Sequence, residues 1–129
     1  MGGKFGDVSE AEMDVLQALW DGGPGAVRDV GARLEPKGRQ WAYTTIQTLL
    51  TRLESKGYVK SDKSGLAHVF SAAVTRDTFL SRRLLELADE LCDGETTPLV
   101  MALTQKHKFS KKEIEAFRKL IDQFDKKGK

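Results

Sequence analysis

Cysteine is nearly absent from this chain. Cys92 is the only one in 129 residues, so neither an internal disulfide nor a thiolate cluster can be built. A reducing compartment is the simplest setting for such a chain. Long apolar runs are missing too. No stretch approaches the roughly 20 apolar residues of a membrane span, and no membrane insertion is expected. The opening MGGKFGDVSE lacks the apolar centre of a signal peptide. Gly6 stands where a myristoylation motif wants Ser or Thr. A cytoplasmic location is the resulting expectation.

Histidine is scarce, and His68 and His107 show no metal-type spacing. The break DGGPG (21–25) follows a helical pattern and lacks the Gly-Lys-Ser/Thr ending of a phosphate loop. No nucleophile, base and orienting partner fall into a recognisable arrangement. The sequence therefore predicts no enzyme, no metal and no cofactor.

Charge is present but unevenly spread. The whole chain carries a net +2, too little to demand a polyanionic partner. Residues 1–36 hold seven Asp/Glu against three Lys/Arg, whereas residues 37–63 hold six Lys/Arg against two Asp/Glu. Such local asymmetry orients a protein on a polyanion even when the total is small.

Helix and strand signals alternate in a definite order. Ser9 with Glu12 forms a capping box, and Val8 with Met13 a hydrophobic staple, at the head of a helix running to about Trp20. A short helix over 26–34 follows, with a weak start because Ala26 has no capping oxygen. Gly31 within it either permits close helix packing or is plain surface. EPKGRQ (35–40) reads as a loop. A third helix runs from about Ala42 to Lys56, and Gly57 is a natural stop. Residues 58–61 and 66–70 read as strands joined by DKSG (62–65), a β-hairpin. Helix, helix, helix, hairpin is the order of a winged helix-turn-helix. Beyond Val74 a long helix to about Leu91, a short apolar stretch at 98–103, and a helix opened by a Ser110/Glu113 capping box and ending near Phe124 are expected, then a polar tail. The fold class is thus mainly α with a small β-hairpin, as a winged-helix domain (1–74) followed by a helical region (75–129).

The third helix poses the functional question. Ile46, Leu49, Leu50 and Leu53 make one apolar face. At about 100° per residue, Thr44, Thr48, Thr51 and Ser55 line up opposite. Threonine is a mediocre helix former, so an ordinary solvent face would not choose it. In a helix-turn-helix the second helix of the pair enters the major groove. Threonine suits that place: its hydroxyl donates or accepts, and its methyl can touch thymine. Gln47 can pair with adenine, and Arg52 reaches toward a phosphate or a guanine from the opposite flank. No carboxylate lies between Tyr43 and Arg52. Arg39 and Lys56 stand at the two ends of the helix, where phosphates would flank the groove. Lys60 and Lys63 sit on the wing, where contacts give affinity and register rather than sequence choice. Trp20, Phe70, Phe79, Phe117 and Phe124 fall on apolar stripes and read as core. Trp41 reads as packing; Tyr43 reads equally as packing or as pressing on the sugar–phosphate backbone. The DNA-binding set is therefore Arg39, Tyr43, Thr44, Thr45, Gln47, Thr48, Thr51, Arg52, Lys56, Lys60 and Lys63.

The C-terminal region offers much apolar surface and no obvious closed core. Phe79, Leu80, Leu84, Leu87, Leu91, Leu99, Leu103, Ile114, Phe117 and Ile121 are the residues expected to pair it with a second copy. The competing reading from the same residues is a winged-helix protein–protein module whose basic face binds an acidic partner.

The segments SEAEMDVLQALWDGGPGAVRDV, AYTTIQTLLTRLESKGYV and KSDKSGLAHVFSAAVTRDTF resemble the penicillinase-repressor family, the BlaI, MecI and CopY type, from about Asp7 to Asp125. The resemblance implies a bacterial transcriptional repressor, binding dyad-symmetric DNA operators as a homodimer. It also implies that Thr44, Thr45, Gln47 and Thr48 match the operator-reading segment. Three departures accompany it. Ala26 replaces the usual Ser or Thr at the start of the second helix. Cys92 alone cannot supply the cysteine pairs of the copper-responsive branch. The resemblance implies a further partner, a regulatory protease or membrane-bound sensor peptidase, but Ala102–Leu103 stands where the β-lactam branch is cut at Asn–Phe.

Overall fold

The computed structural model describes residues 8–127. The N-terminal residues behind the expected absence of a leader lie outside that range. Two compact units meet at Arg83 and Leu84, and helix α4, Arg76–Leu91, contributes to both.

In the first unit, α1 (Glu10–Gly22) begins at the capping box the sequence announces. The Glu12 amide donates to the Ser9 hydroxyl at 3.1 Å, and the Ser9 amide to the Glu12 carboxylate at 2.8 Å. Gly23 (φ +80°) ends the helix in a backbone conformation that favours glycine. Helix α2 (Val27–Leu34) receives no side-chain cap from Ala26. Asp29 compensates in part, because its carboxylate accepts from the Ala26 amide at 2.9 Å. Arg33 fastens the turn between the two helices through the carbonyls of Gly23, at 2.6 Å, and Pro24, at 3.2 Å. The expected loop at 35–40 contains one 3₁₀ turn, Glu35–Lys37.

Helix α3 (Tyr43–Ser55) lays Ile46, Leu49, Leu50 and Leu53 into the core, each at most 6 % exposed. Val15, Leu16, Ala18, Leu19, Val27, Val30, Leu34, Tyr58, Val59 and Phe70 pack with them in that core. Gly31 is a packing glycine: a Cβ there would lie 3.1 Å from the Ile46 Cδ1. The close approach of α2 to α3 thus rests on the missing side chain. At the end of α3, the Tyr58 amide donates to the Leu53 carbonyl and the Gly57 amide to the Glu54 carbonyl, both at 3.0 Å, with Gly57 at φ +89°. This is the Schellman stop that Gly57 suggested.

Strands β1 (Val59–Asp62) and β2 (Val69–Ala72) pair antiparallel, Val59 opposite Ala72 and Asp62 opposite Val69. The second strand starts three residues later than the sequence predicts. The Asp62 carboxylate accepts from the Ser64 amide at 2.9 Å and its hydroxyl at 2.7 Å, which turns the chain out of the ladder at Asp62. Residues 63–68 consequently form the loop of the wing. Phe70 also bridges to Gly25 through two backbone bonds, at 2.8 and 2.9 Å, anchoring the wing to the turn before α2.

Phe79, read from the sequence both as core and as part of the dimerisation face, belongs to this first core. Its ring meets those of Trp20 and Tyr58 edge-on, with centroids 5.5 and 5.3 Å apart. The Trp20 indole donates to the Val74 carbonyl at 2.9 Å, and Arg76 bonds Asp21 at 2.6 Å. These contacts fix the first turns of α4 against α1, so its early apolar side chain faces inward.

In the second unit, α5 (Thr97–Lys106) and α6 (Lys111–Lys127) follow the second half of α4. The apolar stretch expected at 98–103 is a full helix, and α6 continues through the predicted tail to Lys127. Ser110 and Glu113 form the second capping box, at 2.9 and 3.1 Å.

Candidate nucleic-acid interface

The outward face of α3 carries Thr44, Thr45, Gln47, Thr48, Thr51 and Arg52, all exposed. Tyr43, at the first helical position, is 52 % exposed. Trp41 packs against the core, with the Arg39 guanidinium 5.1 Å from its ring centre. Short side chains on a helix whose other side is anchored by four aliphatic residues make a shallow, firmly held surface. Their hydroxyl and amide groups are free to exchange water for base edges, which is what groove reading requires. The wing presents Lys60 and Lys63, both exposed. It is tied to α3 by the Ser61 hydroxyl, which donates to the Glu54 carboxylate at 2.7 Å.

Two expected phosphate contacts are engaged elsewhere. The Lys56 ammonium lies 2.8 Å from the Glu12 carboxylate, at the start of α1. Glu12 is 2 % exposed, the one buried charged side chain among the described residues. Burial pushes its carboxyl up, but the hydrogen bond from Lys56, with those from Ser9, outweighs that and holds it below the usual carboxylate range. Arg39 donates through Nε to Asp14 at 2.8 Å and has Glu10 at 4.0 Å. Both cations therefore answer the acidic first helix. Part of the charge asymmetry in the sequence is an internal attraction between α1 and the ends of α3.

A notch of about 260 Å³ opens between the start of α2, the first turns of α3 and the wing. Arg28, Tyr43, Gln47, Leu66 and His68 line it over the Phe70 ring. Sequence reasoning passed over Arg28, Leu66 and His68. A basic residue in the first turn of the helix preceding the reading helix was the available signal for Arg28; His68 had none beyond its place beside the wing.

The second unit shows a different surface. Leu84, Leu87, Leu91, Leu103, Ile114, Phe117, Ile121 and Phe124 are each at least 40 % exposed. Leu80, on the first unit's part of α4, is exposed as well. Leu99 is half-buried. Phe117 and Phe124, read from the sequence as core, are among the exposed set. The second unit thus leaves many large apolar side chains exposed to solvent. Ala102 and Leu103 fall inside α5, both exposed. No helix of the described residues is long and apolar enough to cross a membrane.

Three helices, an antiparallel hairpin and a hydroxyl-bearing exposed face on the third helix define a winged helix-turn-helix head. The chain belongs to the penicillinase repressor family, whose sequence profile matches residues 8–123. That family is one of transcriptional repressors rather than enzymes. The chain is 26 % identical to the penicillinase repressor of Staphylococcus aureus over 127 residues, 98 % of this chain and all of the relative. It is 24 % identical to the methicillin resistance regulatory protein MecI of Mammaliicoccus sciuri over 122 residues, 95 % of this chain and 98 % of the relative. Among solved structures, monomeric Bacillus licheniformis BlaI in complex with the blaP half-operator superposes with a TM-score of 0.48 at 28 % identity, over 60 % of this chain and 92 % of that one.

Proposed function

We propose that this chain is a DNA-binding transcriptional repressor that acts as a homodimer on a dyad-symmetric operator. The observation that carries the reading is the exposed row Thr44, Thr45, Gln47, Thr48 and Thr51, held rigid by the buried aliphatic face of α3. Thr44, Thr45, Gln47 and Thr48, near the start of the helix, contact base edges. Thr51 lies further along and meets phosphate or water. Arg52 approaches the phosphates on one side of the groove, and Lys60 and Lys63 hold the backbone from the wing. Arg39 and Lys56 leave this set and act as braces.

The exposed apolar residues of the second unit support pairing with a second copy. Two heads on one dimer read half-sites spaced by whole or near-whole helical turns. Losing the dimer removes the effective-concentration gain, about 10²-fold or more, so relief of repression need not touch the reading face. A cut anywhere in the second unit by a regulatory protease would act in this way, although Ala102–Leu103 departs from the bond cut in the β-lactam branch.

Selection of duplexes from a random pool tests the reading. Recovery of inverted repeats, bound with an affinity that falls steeply with salt, is the expected result. Failure to bind any duplex at low salt would overturn it and leave the face to an acidic protein partner.

A further inference from the structure

We propose that the notch beside α3 seats one backbone phosphate and its deoxyribose, with Arg28 and His68 as phosphate-binding residues and Leu66 packed on the sugar. This rests on the DNA-binding reading above and adds residues to it. A major groove about 12 Å wide has a phosphate ridge on each side of the helix lying in it. Viewed down α3, Thr45 and Arg52 fall on one flank of the Thr44–Thr48 line, and Tyr43 and Gln47 on the other. Arg52 supplies the cation on its own flank. On the opposite flank α3 itself offers no cation, and the notch opens there, with Tyr43 and Gln47 as its α3 wall. Arg28 from α2 and His68 from the wing supply what α3 lacks.

Arg28 is exposed and forms no ion pair among the described residues, whereas Arg39 and Arg76 pair with carboxylates and Arg33 donates to backbone carbonyls. A notch of about 260 Å³ is far larger than one water needs, so it can admit a solvated polar group. A phosphate accepts from a guanidinium fork, an imidazole N–H and a phenol O–H together. One exposed leucine means nothing by itself. Fully exposed Leu66, at the rim of a polar notch next to a reading helix, is placed to cover a sugar.

The test titrates the full chain with a duplex selected by the wild-type protein, and with an unrelated duplex, between about 50 and 200 mM salt. Arg28→Ala with His68→Ala should weaken both by a similar factor, about tenfold or more. The slope of log K against log salt should become shallower by about 0.9, one phosphate contact. Arg28→Lys should restore the slope, which a merely structural role for Arg28 would not require. A single methylphosphonate bordering the half-site should weaken wild type and have no further effect on Arg28→Ala. Wild-type affinity and slope in the double variant, with discrimination lost in Gln47→Ala/Thr48→Ala, would refute the notch and leave the DNA reading standing. Stabilisation of the protein by inorganic phosphate at the notch, with an unchanged DNA slope in Arg28→Ala, would make it a small-anion site and overturn the proposal. If wild type binds no duplex, both readings fall together.

Discussion

Replacing Lys56 by methionine separates bracing from DNA contact. The substitution keeps the unbranched apolar stem, one atom shorter, and removes the charge. Glu12, 2 % exposed in the wild type, would keep the Ser9 amide as a donor but lose the ammonium that stands 2.8 Å away. Removing one partner of a fully buried pair costs about 3–5 kcal/mol. Because the Lys56 side chain is 31 % exposed, the pair is not fully desolvated, and about 2–3 kcal/mol is the expected loss at neutral pH. The pH dependence has a definite sign. In wild type the Glu12 carboxyl lies below its unfolded value, so its stabilising contribution is complete above that value and disappears as pH falls through the folded one. In the variant, burial pushes the same carboxyl up with less to oppose it. Acidification then costs wild type stability and relieves the variant, so the difference between them should shrink as the pH is lowered. Urea unfolding of both proteins at neutral pH and near pH 4, with the slopes compared, measures this. The folded variant should bind DNA with an unchanged salt slope. Wild-type stability at neutral pH, together with a slope about 0.9 shallower, would refute the bracing role and return Lys56 to the phosphates.

Other substitutions probe the remaining links. Phe79→Ala should destabilise the first unit by about 3–5 kcal/mol, read by thermal unfolding, whereas Leu91→Ala, at an exposed site, should leave that unit's melting unchanged. Gly31→Leu should cost about 1–3 kcal/mol through overpacking against Ile46, measured by denaturant titration. Gln47→Ala with Thr48→Ala should erase discrimination between selected and random duplexes while circular dichroism and melting stay at wild-type values. Leu84→Glu with Leu87→Glu should yield monomers in sedimentation and weaken DNA binding by about 10²-fold or more; a full-strength dimer would move the interface to another face.

What the sequence made legible was local. The two capping boxes, the Gly57 stop and the aliphatic row of α3 each lie within a few residues of one another, where spacing translates directly into geometry. The pairing of Lys56 with Glu12 spans 44 positions, and no periodicity reveals it. The charge asymmetry was visible, yet part of it answers α1 rather than an external polyanion. Phe79 illustrates the same limit. Its helical stripe continues into Leu84, Leu87 and Leu91, and the stripe cannot tell which turn is buried by Trp20 and Tyr58. The late start of β2 followed from the Asp62–Ser64 turn, a side-chain choice that the alternation of apolar residues does not encode. The notch was illegible because Arg28, Gln47 and His68 come from three elements whose approach depends on Gly31 and on the Gly25–Phe70 bridge.

If the hydroxyl face of α3 reads duplex DNA, hydroxyl-radical footprinting of the full chain on a selected duplex, alongside the Gln47→Ala/Thr48→Ala variant, will show it. Two protected patches related by a dyad, lost in the variant at the same protein concentration and without loss of fold, are predicted. Equal protection by the variant, with equal preference for the selected sequence, would contradict it.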